Sequence, residues 1–223
     1  MNLTLKESLV TRSRVFSPWT AFYFLQSLLI NLGLGYPFSL LYTAAFTAIL
    51  LLLWRTLPRV QKVLVGISSL VAACYFPFAQ AYGAPNFNTL LALHSTNMEE
   101  STEILTIFPW YSYMVGIFIF VLGVIAIRRK KESEKARWNT FDSLCLVFSV
   151  ATFFVAPVQN LAWGGVFKLK DTGYPVFRFA KDVIVNNNEV IEEQERMAKL
   201  SGMKDTWTVT AVKPKYQTYV VVI

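Results

Sequence analysis

The sequence predicts an all-α membrane protein with five transmembrane helices, and its composition and charge distribution carry that prediction. Hydrophobic residues make up 54% of the 223 residues and charged residues only 16%, whereas soluble domains are about a quarter charged. The charges are also segregated, because no Asp, Glu, Lys, Arg or His occurs from Val15 to Trp54, or from Val63 to Leu93. Uncharged stretches of this length favour lipid as the solvent around them.

The lengths of the uncharged stretches predict where the helices cross. A hydrocarbon core about 30 Å thick needs about 20 apolar residues per helix, so the stretch from Val15 to Trp54 is predicted to hold two helices. Its break is predicted between Asn31 and Pro37, with the proline in the first turn of the second helix. The five predicted spans are about Phe16–Asn31, Pro37–Trp54, Val63–Tyr82, Phe108–Ile127 and Ser143–Trp163.

The basic residues predict the orientation. Twelve of them lie before the first span or in two of the connecting loops: Lys6, Arg12, Arg14, Arg55, Arg59, Lys62, Arg128, Arg129, Lys130, Lys131, Lys135 and Arg137. The alternate loops, Leu32–Tyr36 and Gly83–Ile107, contain no Lys or Arg. The positive-inside rule therefore places the N-terminus in the cytoplasm and the C-terminal segment on the opposite side. Because the basic clusters flank apolar segments, the net charge of +7 does not predict nucleic-acid binding.

Tryptophans support the predicted ends of the spans, where an interfacial aromatic belt is expected. Those at or near a predicted end are Trp19, Trp54, Trp110, Trp138 and Trp163.

The chain changes character after the transmembrane domain, which is predicted to occupy residues 1–163. Residues 164–205 are predicted to form an aqueous linker with an amphipathic helix at about Val176–Leu200, supported by the acid–base pairs Glu192–Arg196 and Glu195–Lys199. Residues 206–223 are β-rich and end in the apolar run Tyr219–Ile223, which is typical of a buried central strand. An uncovered strand of this kind promotes aggregation, so the sequence is predicted to be the front portion of a longer protein.

The loop Gly83–Ile107 is the most informative part of the transmembrane domain. Its leucines predict helical pieces that lie in the membrane interface. The segment Thr96-Asn97-Met98-Glu99 fits a capping box that begins a helix. The alternative interpretation is a polar patch that binds a zwitterionic or cationic lipid headgroup. Both are compatible, because Glu99 can cap the helix while Glu100 points elsewhere.

The sequence predicts no catalytic or metal-binding residue. His94 is the only histidine and has no partner at ligand spacing, which favours a role as an ordinary interfacial residue. Cys74 and Cys145 fall in apolar segments and are expected to be core residues. Asp142 and Asp171 are expected to face water at the membrane edges.

The order of these features resembles the bacterial phosphoethanolamine transferases, inner-membrane enzymes that include the lipid A modifying and colistin-resistance enzymes. The resemblance rests on five N-terminal spans, an acidic loop between the third and fourth, a bridging helix, and the strand Thr218–Ile223. In that family the equivalent strand leads into Gly-Glu-Ser/Thr, at the start of a periplasmic α/β domain with an alkaline-phosphatase-like fold.

The resemblance implies a two-step reaction. The hydroxyl of that motif takes phosphoethanolamine from phosphatidylethanolamine and passes it to lipid A or another envelope glycan, with zinc activating the nucleophile. All of the implied catalytic and zinc-binding residues would follow Ile223, so residues 1–223 are not expected to run the reaction alone.

One family feature is carried over in part. Members show Asn, Thr and Glu at intervals of four residues, in contact with the lipid-derived substrate. Thr96 and Glu100 fit the second and third places, whereas the first falls on Ala92 and Asn88 lies one turn earlier. The resemblance therefore implies a substrate-binding site at Thr96 and Glu100, with Asn88 and Glu99 beside them.

Two other functions compete with this interpretation. A small transporter would need ionisable residues within its spans, and only Asp142, at an edge, qualifies. A noncatalytic membrane protein that binds lipid or a protein partner is the second alternative, and phosphatidylethanolamine binding would test it.

Overall fold

The computed structural model describes residues 18–96, 106–129, 140–163, 165 and 172–201, and their secondary structure is helical. The helices within these ranges are α1 Pro18–Gly33, α2 Leu40–Thr56, α3 Pro58–Tyr82, α4 Phe87–Ser95, α5 Trp110–Arg128, α6 Thr140–Ala162 and α7 Pro175–Ser201. The predicted strand Thr218–Ile223 and the β-rich segment 206–223 lie outside the described residues.

Among the residues described, three helices, α3, α5 and α6, are long and apolar enough to cross a membrane. Helix α2 is also apolar but has only 17 residues, and α1 has 16. The predicted all-helical class is thus confirmed for the described residues, together with apolar helices suited to a membrane. The count of five crossings and the orientation stay predictions.

Helix boundaries agree with the predicted spans to within a few residues, and one local prediction was wrong. A break does separate α1 from α2, and Gly35 turns the chain there with a positive φ of 79°. Pro37, however, is not in the first turn of α2. The helix begins at Leu40 because Ser39 takes the extended conformation of an N-cap residue, with φ −133° and ψ 113°.

The bundle is organised by close helix pairs. Helix α5 packs along α3, α1 contacts α2, α3 and α5, and α6 packs on α2. Glycines permit the closest approach: a Cβ atom on Gly116 of α5 would lie 2.6 Å from the carbonyl oxygen of Ala73, and one on Gly123 would lie 2.6 Å from Cβ of Ser69. Small residues at such interfaces let helix backbones approach in lipid, where packing drives association.

Buried polar side chains link the same helices. Gln26 Nε2 donates to Oγ of Ser69 over 2.6 Å, which joins α1 to α3. Asn31 Nδ2 donates to Oγ1 of Thr43 over 2.9 Å, which joins α1 to α2. The polar residues that shorten the apolar stretch of α1 therefore face protein, where hydrogen bonds across helices contribute to association.

The expectation that Asp142 faces water was wrong. Its side chain is only 4% exposed, and both carboxylate oxygens lie 2.6 Å from Nη1 of Arg55. Arg55 stands at the end of α2 and Asp142 in the first turn of α6. Because a carboxylate near lipid needs a partner, the packing of α6 on α2 directs Asp142 inward. Asp171, for which the same expectation was made, lies outside the described residues.

Arg129 contacts two tryptophan rings where three helix ends meet. The guanidinium carbon of Arg129, just after α5, lies 4.1 Å from the ring centroid of Trp19 and 3.7 Å from that of Trp54. Trp19 lies in the first turn of α1 and Trp54 is near the end of α2. Arg129 therefore holds three helix ends together by cation–π contacts, a role beyond the orientation signal predicted for it.

Candidate functional site

The loop between α3 and α5 contains a short helix, as predicted. Helix α4 begins after Asn86, whose side chain accepts a hydrogen bond from the backbone N–H of Thr89 over 3.0 Å. This is the usual way in which asparagine satisfies a free donor at a helix N-terminus. Leu90 is the buried residue of α4, so one side of the helix packs against protein and the other is open.

Two of the predicted site residues are described: Asn88 lies in α4, and Thr96 directly follows the helix as its C-cap residue. Asn88 is exposed, and Thr96 is a half-buried residue at the C-terminal end of the helix. The Thr96 hydroxyl donates to the carbonyl oxygen of Ala92, which leaves its oxygen able to accept. Asn88 and Ala92 are four residues apart and share one face of α4, and Thr96 continues this spacing at the C-cap. Glu99 and Glu100, with most of the predicted capping box, lie outside the described residues.

The predicted amphipathic helix is confirmed as α7, which extends one residue further at each end. Its apolar positions divide into two groups: Val190 is fully buried, whereas Ile184 and Met197 are each 60% exposed. An ion pair on its surface joins Arg196 to Glu193 over 3.2 Å.

The first half of α7 is attached to the bundle at the loop between α1 and α2. The Tyr36 hydroxyl donates to Oδ2 of Asp182 over 2.7 Å, and the Arg178 guanidinium lies 4.8 Å from the Tyr36 ring. Phe179 meets Tyr75 of α3 edge to face, with centroids 5.0 Å apart. Burial, followed by the hydrogen bond to the Asp182 carboxylate, raises the pKa of Tyr36 far above its usual value, so the phenol remains a donor.

The middle of α7 contacts α4 and the loop that precedes it. His94 Nε2 and Asn187 Oδ1 are 2.8 Å apart, and Asn186 Nδ2 donates to the carbonyl oxygen of Pro85 over 3.4 Å. His94, interpreted from the sequence as an ordinary interfacial residue, thus joins two elements. Asn187 was not singled out at all. The available signal was three consecutive asparagines, 186–188, in the middle of an amphipathic helix.

The described polar side chains at this site form hydrogen bonds. Among residues 18–96, 106–129, 140–163, 165 and 172–201, no group of three or more His, Cys, Asp or Glu side chains is placed to hold a metal ion. What α4 presents is amide and hydroxyl groups on an exposed helical face. Such groups recognise a polar headgroup by hydrogen bonds.

The amino-acid sequence is similar to that of a known protein over its full length. The chain is 98% identical, over all 223 residues, to the phosphoethanolamine transferase OpgE of Escherichia coli (strain K12). The resemblance drawn from the sequence is confirmed. The chain spans 42% of the length of that relative. No protein-family model matches the chain, and no solved structure matches it.

Proposed function

We propose that this chain forms the membrane part of a phosphoethanolamine transferase and presents phosphatidylethanolamine to a catalytic domain. The observation that carries the proposal is the near-identity to such a transferase over the full length of the chain. The polar groups at α4 support it, because the exposed Asn88 and the half-buried Thr96 are hydrogen-bonding groups in the connection between the apolar helices α3 and α5.

The proposed donor site combines this face with the acidic residues that follow it. The Thr96 oxygen accepts an N–H of the donor ammonium group, the Asn88 amide hydrogen-bonds the phosphate, and Glu100 supplies the opposite charge, with Glu99 beside it. A primary ammonium offers three donors, which distinguishes ethanolamine from choline, whose nitrogen offers none. Recognition by hydrogen bonds therefore predicts a preference for phosphatidylethanolamine.

We further propose that α1, α2, α3, α5 and α6 all cross the bacterial inner membrane, with the N-terminus in the cytoplasm. Helices of 16 and 17 residues are close to the lower limit of about 17 for a span. The contacts of Arg129 with Trp19 and Trp54 support this orientation, because they gather basic and aromatic residues at one end. Helices α4 and α7 then lie on the periplasmic side.

Reporter fusions test this topology. Alkaline phosphatase reports the periplasm and a fluorescent protein reports the cytoplasm. The fluorescent protein is expected to be active when fused after Lys131, and alkaline phosphatase when fused after Leu200. The same reporter active at both positions would refute the arrangement.

The transfer chemistry is proposed for the part of the transferase outside these residues. There a zinc-dependent α/β domain with an alkaline-phosphatase-like fold would move phosphoethanolamine from the lipid to an envelope glycan. The described residues do not fit zinc, so no reaction step is assigned to them. Their proposed contribution is to hold and orient the donor.

Lipid binding tests the donor site. Wild-type protein in detergent is expected to bind phosphatidylethanolamine in preference to phosphatidylcholine, as measured by native mass spectrometry. Thr96→Ala is expected to weaken binding about fivefold, the equivalent of one neutral hydrogen bond, and Glu100→Ala at least about tenfold, because its partner is charged.

Ser95→Ala is the matched control for Thr96→Ala. It removes a neighbouring hydroxyl that, like that of Thr96, bonds backbone carbonyl oxygens of the preceding turn. Ser95 is one residue, about 100°, around the helix from Thr96, so affinity should stay at the wild-type value. Equal lipid affinities in the wild type, Thr96→Ala, Glu100→Ala and Ser95→Ala would refute the proposal that the donor lipid binds at α4.

A further inference from the structure

Helix α7 is divided between two partners. Its first two turns are fixed to the bundle by the Tyr36–Asp182 hydrogen bond and by the packing of Phe179 on Tyr75. Its middle turns instead contact α4, where Asn187 meets His94. Helix α7 therefore connects the bundle to the short helix that contains Asn88 and is followed by Thr96.

Helix α4 depends on this connection for its orientation. It has only nine residues, and isolated helices shorter than about 12 residues are marginal in water. Its described anchors are the apolar contact at Leu90, the hydrogen bond of Asn186 to the Pro85 carbonyl, and that of His94 with Asn187. Of these, the His94–Asn187 bond lies closest in sequence to Thr96.

The hydrogen bond between His94 and Asn187 does not depend on the charge of the imidazole ring. With a proton on Nε2, His94 donates to Asn187 Oδ1, and it does so whether the ring is neutral or charged. The bond thereby ties the last turn of α4 to the middle of α7.

We propose that Asn187 is a positioning residue for the donor headgroup: through His94 it sets the orientation of α4, and with it the direction in which Asn88 and Thr96 point. The inference rests on the proposed function of α4 as the donor site. Asn88 and Thr96 are two helical turns apart, about 12 Å along the axis. A rotation of α4 would carry both away from a headgroup that contacts them together, so fixing α4 in advance improves binding.

Hydrogen exchange measures the docking of α4 directly. In His94→Ala and in Asn187→Ala, amide exchange in residues 90–95 is expected to accelerate about tenfold, while exchange in α3 and α5 stays as in the wild type, because one hydrogen bond of this kind is lost. The double variant should be no faster than either single variant. His94→Gln, which keeps an N–H donor on a side chain of similar reach, is expected to restore most of the protection.

Asn188→Ala is the matched control, because it removes the adjacent, exposed asparagine of the same helix. It should leave exchange in α4 unchanged. Unchanged exchange in His94→Ala and Asn187→Ala would overturn the inference at the level of the contact itself.

Phosphatidylethanolamine affinity, measured on the same variants, tests the positioning role. Both single variants are expected to bind about fivefold more weakly than the wild type, with recovery in His94→Gln. Wild-type affinity in variants whose α4 exchanges faster would overturn the positioning role alone. Failure of the wild-type protein to bind the lipid would overturn the proposed donor-lipid site, and with it the positioning role of Asn187.

Discussion

Replacing Asp142 by asparagine is expected to lower the free energy of unfolding by about 3 kcal/mol, because removing one member of a buried ion pair strands the other. The Arg55 side chain is 17% exposed and that of Asp142 4% exposed, so little water is present to solvate the guanidinium once its carboxylate is gone. The pair also joins α2 to α6. Loosening of α6 from α2 should therefore accompany the loss of stability.

Unfolding in mixed detergent micelles, followed by circular dichroism, measures this effect. Glu193→Gln is the control, because it makes the same acid-to-amide change in the exposed pair with Arg196, and exposed pairs contribute at most about 1 kcal/mol. The double variant Arg55→Met with Asp142→Leu should recover most of the loss, since apolar replacement of both partners is often neutral. If Asp142→Asn and Glu193→Gln lower the free energy of unfolding by similarly small amounts, the Arg55–Asp142 pair is solvated.

Replacing Gly116 by alanine is expected to destabilise the bundle by about 2 kcal/mol, a typical cost of inserting a methyl group into a packed core. The new Cβ would lie 2.6 Å from the carbonyl oxygen of Ala73. That oxygen belongs to the backbone of α3 and cannot rotate aside as a side chain does. Helices α3 and α5 would have to separate, and the contacts along their whole interface would weaken.

Gly66→Ala provides the control in the same measurement. Its Cβ would meet only the terminal Cδ1 atom of Ile127, at 3.1 Å, and a side-chain end can move by the few tenths of an ångström needed. Both changes gain up to about 1 kcal/mol of helix propensity, so the difference between the two variants isolates the steric effect. A Gly116→Ala protein as stable as Gly66→Ala would mean that the α3–α5 backbones are not in close contact.

The positions of helices could be read from the sequence because they depend on neighbouring residues. Uncharged stretches placed the apolar helices, and the amphipathic pattern placed α7 to within one residue at each end. Pro37 was misplaced by the same local reasoning. A proline suits the first turn of a helix, but the contact of Tyr36 with Asp182 on a helix 146 positions away holds this loop.

The relatedness of the chain could also be predicted from the sequence, because the order of spans, acidic loop and bridging helix is a linear pattern. The face that each helix presents to its neighbours could not. Helix α5 is apolar around its circumference, so periodicity gives no direction, and the contact of Gly116 with Ala73 emerges only from packing. Equally, Asp142 was assigned to water because its distant partner, Arg55, was counted as an orientation signal.

Local composition thus determined that the described part of the chain is helical and suited to a membrane, since length and hydrophobicity are properties of a segment. Tertiary structure alone decided that Asp142 is paired, that Arg129 is stacked, and that His94 joins α4 to α7. The physical reason is that hydrogen bonds, ion pairs and close backbone approach require two surfaces to meet. Which surfaces meet is set by the packing of segments distant in the chain.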